Sequence, residues 1–418
     1  MPIDGSLETR QLFFGWRVVW AAFLVAIFVW GAGFYGPPIF LETLRRTRGW
    51  PVSTISAAIT LHFLLGAAIV ARLAALHHRF GLAGTTRIGA VLTACGLMGW
   101  ALAQEPWQLF LVMPLSGAGW AMTSGAALNA MVSPWFIRRR PAALSMAYNG
   151  ASMGGVIFSP LWVALIAGLG FPAAAALVAI AMTATLWVIA RRYLERDPAR
   201  MGLAPDGALD GTAPARHAAA APLASPWRDR RFVTLAATAS LGLFAQIGLI
   251  AHLFSLLTPS LGETGAGLVM GMTTAGAIGG RTLLGMMLGD TDRRLALATN
   301  IVLQACGSAI LILAAGGSVP LLLLGCLLFG LGLGNITSLP ALIAQAEFMP
   351  VDLPRVVALV TAASQASFAF APALFGLLRA PSGDGSAPLL FGAAAAVQLA
   401  AAIMAMLGRQ PCLRAGRS

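Results

Sequence analysis

Apolar residues occur in twelve long blocks separated by short polar breaks. The blocks centre on residues 16–38, 53–77, 84–104, 106–131, 141–168, 171–192, 232–258, 264–288, 295–315, 318–345, 355–379 and 387–408. About 20 apolar residues, rising about 1.5 Å each in a helix, cover the roughly 30 Å hydrocarbon core of a bilayer. The pattern therefore predicts an all-α membrane protein of twelve transmembrane helices. An even count places both termini on one side. The longest polar stretch, Arg191–Arg231, is too short to bury a core of its own. Its centre reads MGLAPDGALDGTAPARHAAAAPLASP, which predicts a flexible linker. The expected organisation is a six-helix half over residues 1–193, a linker over 194–230 and a second six-helix half over 231–418.

A half-length repeat supports that division. Phe136 precedes Pro160 by 24 residues, and Phe348 precedes Pro372 by the same 24. Both pairs are offset by 212 residues, and Trp16 and Trp227 by 211. Two parallel six-helix repeats form a transporter architecture, with the substrate site at their interface near mid-membrane.

Composition sharpens this picture. The chain is 58% hydrophobic and 10% charged, with mean hydropathy +0.81. Soluble domains carry about 25% charged residues, so a large extramembrane catalytic domain is excluded. All 27 basic residues are Arg, giving net charge +12. They sit between apolar blocks, so positive-inside bias explains them better than nucleic-acid binding. The termini and the loops on their side hold 21 Arg; the opposite loops hold Arg45, Arg46, Arg48 and Arg379. Both termini are thus expected in the cytoplasm, with Arg45–Arg48 the exception. The Ala-rich, Lys-free usage is that of a GC-rich bacterial genome, which predicts a multi-pass protein of the bacterial inner membrane. Four scattered cysteines give no disulfide or metal-ligand spacing. Nucleotide-binding loops, metal clusters and nucleophile–base pairs are missing, so neither an enzyme nor a cofactor is expected.

PWFIRRRPAALSMAYNGASMGGVIFSP, Pro134 to Pro160, carries an aromatic pair, a basic cluster, and small residues with Gly154-Gly155 ahead of a proline. FFGWRVV opens the first span and GFYGPPIFL closes it. On these stretches the chain resembles the major facilitator superfamily, and within it the monocarboxylate transporters and oxalate–formate antiporters. The superfamily's signature loops are degenerate here. AALHHRFG puts Ala74 in the glycine slot and His78 in the Asp slot, and GMMLGDTDRR puts Gly289 in the Asp slot. The resemblance implies a substrate-binding Arg in the eighth span, and GGRTLLG supplies Arg281. The Asp that the monocarboxylate group carries one turn earlier is Ala277 here, and the Lys residues of both groups cannot exist in this chain.

Charge inside the bilayer costs at least ~2.5–3.5 kcal/mol, which makes each intramembrane ion a functional candidate. Arg281 lies eight residues before Gly289, about 12 Å deep. Arg72 is nearer its helix end, which favours a snorkelling role. All 15 acidic residues are assigned to loops or helix ends, leaving Arg281 without a carboxylate partner. A lone buried cation is readily offset by an anionic ligand. The expected partners are therefore a small organic anion with one carboxylate and the lipid bilayer, with no nucleic acid and a monomeric state. Tyr35, Asn149, Gln246, Asn335 and Gln365 join Arg281 as candidate substrate ligands, because each can hydrogen-bond and lies in a span that lines the cavity in this superfamily. Some of these bind neighbouring helices instead. His62, about 14 Å into the second span, is a candidate for both substrate contact and proton coupling; a neutral His bonded to a neighbouring helix is the alternative. Asn300 and Gln304 in the ninth span fit less well, since that span is expected to face lipid. The expected function is a secondary active or facilitative carrier of a small organic anion, a monocarboxylate, by alternating access. The competing reading is an efflux carrier for amphipathic drug-like compounds, for which saturable uptake of labelled carboxylates discriminates.

Overall fold

The computed structural model describes residues 13–207, 225–287, 292–314, 317–349, 351–379 and 387–409, which contain helices and no strands. The central linker, 208–224, and the Gly289-Asp290 pair lie outside the described residues. The first half comprises α1 (Phe14–Arg48), α2 (Val52–Val70), α3 (Leu73–Leu102), α4 (Pro106–Trp135), α5 (Arg140–Leu169) and α6 (Phe171–Leu194). A continuous assignment, Arg230–Met287, follows. Its 58 residues would extend about 87 Å as one helix, nearly three bilayer cores. Gly262, at φ 66°, divides it. The left-handed region is open to glycine without strain, and the chain reverses there into α7 (residues 230–261) and α8 (residues 263–287). Next come α9 (Arg293–Ala314), α10 (Val319–Glu347), α11 (Arg355–Leu377) and α12 (Pro388–Leu407). The twelve helices form the two six-helix halves of a multi-pass membrane protein.

The halves meet along α5 against α8 and α2 against α11, a pairing that repeats the internal symmetry. Contacts concentrate at the end far from the linker. There Gly267 and Gly271 of α8 bring its backbone onto Ser159, Pro160 and Val156 of α5. Thr60 accepts a 3.0 Å hydrogen bond from the Ala373 N–H, and Arg46 pairs with Glu263. Toward the linker end the lower turns of α8 are exposed at Leu283, Met286 and Met287. The two halves are in direct contact at the far end.

Both linker-side ends are pinned by matched aromatics. Phe136 packs on Trp16 at 5.0 Å between ring centroids, and Arg231 lies 4.9 Å over the Phe348 ring. In the second half Arg294, 2% exposed, donates to both Glu347 oxygens at 2.6 and 2.8 Å, to Thr234 and to the Arg231 carbonyl. One guanidinium therefore ties α7, α9 and α10 together.

Four expectations change. The first span does not end at residue 38: a kink at Phe34-Tyr35 is followed by a second segment, Gly36–Arg48. Pro37 and Pro38 start that segment, where their missing N–H groups cost nothing. Arg45, Arg46 and Arg48 form its last turn, where cations favour the helix dipole, before the left-handed cap Gly49. Their position outside the arginine-rich side thus has a local cause. Glu42 is not in a loop: it is 1% exposed within this segment and accepts from Arg45 Nε and Nη2 at 2.8 and 2.6 Å. Asn300 and Gln304 face inward, as described below. The first part of the linker is docked: the Asp206 carboxylate accepts from the backbone N–H groups of Ile137, Arg138 and Arg139 at 3.0, 2.7 and 3.2 Å. Asp206 adopts φ 63° to reach them, a left-handed conformation that Asp tolerates better than most residues.

Candidate substrate-binding site

Arg281 stands where the two halves come together nearest their middle. Gly276 and Gly280 on α8 allow contact with the α10 backbone; a Cβ at Gly280 would lie 1.9 Å from the Leu331 carbonyl oxygen. Helix α10 breaks at Gly334, between its segments Val319–Leu333 and Asn335–Glu347, and the break frees carbonyl groups. Such groups must be satisfied inside a membrane protein. The Gly332 carbonyl accepts from Asn300 Nδ2 and Gln304 Nε2, both at 3.0 Å. This draws the polar side chains of α9 inward, away from lipid. The Gly334 carbonyl accepts from Arg281 Nη2 at 3.2 Å.

The other arm of Arg281 crosses to the first half and donates from Nη1 to Asn149 Oδ1 on α5 at 2.5 Å. Among the described residues no carboxylate pairs with this guanidinium. Its protein partners are neutral oxygens, so its charge is solvated but not cancelled. Tyr35, at the α1 kink, lies within electrostatic reach of Arg281. Its ring sits over Gly155, where any Cβ would come within 2.6 Å of both the ring and Thr274 of α8. Arg281, Asn149 and Tyr35 are therefore brought together at the crossing of the halves.

The other candidates are placed differently. Asn335 is turned toward α9, donating to Asn300 Oδ1 at 2.8 Å, which is a link between helices. His62 is 2% exposed, bonded through Nδ1 to Ser116 Oγ at 2.9 Å and packed on Phe63 and Trp120; its Nε2 has no partner. It sits wholly within the first half. Gln246 is 5% exposed, with an unpartnered Oε1. Gln365 is half-buried on α11, one turn before Phe368. Arg72 is exposed at the end of α2, in keeping with a snorkelling role. His252 is fully buried and bonds the Pro372 carbonyl at 2.9 Å.

Trp30, Phe34 and Trp120, not singled out from the sequence, complete the surroundings together with Tyr148, a hydrogen-bonding candidate of the same span as Asn149. Trp30 on α1 packs on Trp120 of α4 at 5.0 Å and on Tyr148 at 6.3 Å. Phe34 stacks on Trp120 and abuts Tyr35. Tyr148, next to Asn149, donates its hydroxyl to the Gly125 carbonyl at 2.7 Å, just past the break in α4 at Ser124. Beyond Tyr35, toward the far end, a small apolar crevice between the halves is walled by Phe34, Ile59 and Phe63 on one side and Ile247 and Ile250 on the other. The sequence signal for this wall was the aromatic spacing within α1, which is indistinguishable from lipid-facing aromatics until the helices are placed.

Residues 124–372, more than half of the chain, match the Major Facilitator Superfamily family. Monocarboxylate transporter 13 of Bos taurus is 29% identical over 162 residues, 38% of this chain and 36% of that protein. Monocarboxylate transporter 11 of Mus musculus is 34% identical over 87 residues, 21% of this chain and 19% of its own length. The chain thus aligns with about a third or less of these relatives. A crystal structure of a mutant of the nucleoside transporter NupG superposes with a TM-score of 0.68, covering 95% of this chain and all of that one at 12% identity, a likeness of fold. Twelve helices in two halves, an interface charge at their middle and the match over residues 124–372 agree: the chain belongs to the major facilitator superfamily of membrane transporters.

Proposed function

We propose that the protein carries a small organic anion, a monocarboxylate, across the bacterial inner membrane by alternating access, with both termini cytoplasmic. The observation that carries this reading is Arg281, an interface cation held by two neutral oxygens, Asn149 Oδ1 and the Gly334 carbonyl. A guanidinium fork matches a carboxylate bidentately. An incoming carboxylate supplies the countercharge that the chain withholds. It would also replace the bond to Asn149, which joins α8 to the opposite half. Ligand arrival and loosening of an inter-half tie thereby become one event, as a rocking mechanism requires. With the linker in the cytoplasm, contact between the halves at the far end supports reading the fold as an inward-facing state. The partial likeness to two monocarboxylate transporters supports the substrate class.

The test is saturable uptake of labelled monocarboxylates into proteoliposomes, by the parent and by Arg281→Gln. Concentration-dependent uptake lost in the variant is the expected result. A carrier that moves hydrophobic cations and ignores carboxylates would overturn the proposal in favour of amphipathic-compound efflux.

A further inference from the structure

The guanidinium fixes one end of a ligand, and the side chains around it describe the other end. The second half presents Arg281. From the first half Asn149 and Tyr35 reach it, and next to them lie Trp30, Phe34, Trp120 and Tyr148, joined ring to ring at 5.0 to 6.3 Å. The wall reaches the charge from two directions. Tyr148 is the chain neighbour of Asn149, which holds one arm of Arg281. Tyr35 is within electrostatic reach of the guanidinium and is the chain neighbour of Phe34.

Three observations place this wall beside the space between the halves. Trp120 contacts Phe63 at 6.2 Å, and Phe63 meets Phe368 of the opposite half at 5.7 Å, so the wall faces across the interface. Trp30, Phe34 and Trp120 are also only half-buried, although they pack against one another. In addition, Phe34 borders an interface crevice lined only by apolar side chains. A ligand whose carboxylate meets Arg281 therefore points the rest of its body at indole and phenyl faces. Short hydroxy or keto acids would leave those faces uncovered, and the Tyr148 hydroxyl and Asn335 are already committed to Gly125 and Asn300.

We infer that the substrate is an aromatic monocarboxylate, its carboxylate on Arg281 and its flat ring against the Trp30–Trp120 wall. The inference rests on the anion-carrier reading and narrows it. Ring-on-ring contact favours a planar body over a saturated one of equal size by more than area burial alone.

The test is binding to the purified full-length protein by calorimetry with four probes: benzoate, cyclohexanecarboxylate, propanoate and benzamide. Benzoate binds most tightly, about fivefold above cyclohexanecarboxylate and more than tenfold above propanoate, and benzamide does not bind. Trp120→Leu lowers benzoate affinity about tenfold and propanoate affinity by far less, so the benzoate-to-propanoate ratio falls, while Trp120→Phe retains the aryl preference. Should Trp120→Leu fail to fold, the ranking of the four probes on the parent protein decides. Propanoate or cyclohexanecarboxylate binding as tightly as benzoate, with both dependent on Arg281, overturns the aryl assignment and leaves the anion carrier standing. No binding of any acid, or benzoate binding undiminished in Arg281→Gln, overturns the anion-carrier reading and this inference with it.

Discussion

Replacing Arg281 by Gln tests the central assignment in two measurements that pull apart. Arg281 offers one arm to Asn149 at 2.5 Å and the other to Gly334 at 3.2 Å. A bound carboxylate takes two charge-assisted hydrogen bonds from this fork, each worth about 1.5–3 kcal/mol. Gln offers one neutral amide on a shorter stem. The loss of about 3–6 kcal/mol corresponds to roughly 10²- to 10⁴-fold in Kd. Folding responds differently. The variant loses two bonds donated by a charged group, but it is relieved of desolvating a cation that has no carboxylate beside it, a penalty of several kcal/mol. The two contributions nearly cancel, so the unliganded variant stays within about 2 kcal/mol of the parent. Arg281→Lys keeps the charge without the fork, and recovers only part of the binding. Calorimetric titration of the purified proteins with a monocarboxylate gives affinity, and thermal unfolding without ligand gives stability. Affinity within threefold of the parent in a folded Arg281→Gln protein would refute the reasoning. So would a variant too unstable to purify, since that assigns Arg281 to architecture.

Gly280→Ala places a Cβ 1.9 Å from the Leu331 carbonyl oxygen, whereas Gly279→Ala meets nothing within 4 Å; the first is expected to lose about 3 kcal/mol or fail to insert and the second to be neutral or slightly stabilising, read from thermal stability in detergent. Glu347→Gln leaves the buried Arg294 unpaired and is expected to destabilise by about 3–5 kcal/mol in the same assay, whereas Arg46→Ala, in an exposed pair, costs under about 1 kcal/mol. Partial burial pushes the Asp206 carboxyl up, but the N–H groups of Arg138, Arg139 and Ile137 together hold it below the ordinary range; its docking is therefore complete above about pH 4 and is lost as pH falls through the lowered value, and Asp206→Asn should raise the rate of linker proteolysis at neutral pH, with an unchanged rate counting against the latch. His62→Gln is expected to change affinity by less than about tenfold and to leave any proton dependence of uptake in place, because its ring is bonded within one half; loss of pH dependence would instead establish His62 as the coupling group. A cysteine at Ala199, exposed beyond α6, in a background lacking the native cysteines, should resist a membrane-impermeant thiol reagent in intact cells, and labelling there would reverse the proposed orientation.

The twelve blocks were legible because the bilayer imposes a length and a composition that no fold can evade. The two-half division was legible for a related reason: a duplicated architecture keeps its kinks and linker-end aromatics at the same offset, as Phe136 and Phe348 or Pro160 and Pro372 do. Arg281 was legible because one charge in hydrocarbon is rare enough to stand out against a chain that is 58% apolar.

What an isolated residue contacts was not legible. Glu42 reads as a loop residue because Pro37-Pro38 looks like a stop; only the packed chain shows that the prolines begin a second helical segment that carries the carboxylate into the protein. Asn300 and Gln304 read as misplaced polar residues until the break at Gly334 supplies the carbonyl they bond. Asn335 and Asn149 are equivalent in sequence terms, an amide in a cavity helix, yet one faces α9 and the other meets Arg281. The sequence determined which segments cross the membrane and that one cation sits among them, since both follow from transfer free energies local to each segment. Tertiary structure alone decided which neutral oxygens hold that cation and which aromatic rings surround it, because those depend on how helices far apart in the chain, 53 residues for Gly334 and 132 for Asn149, are rotated against one another.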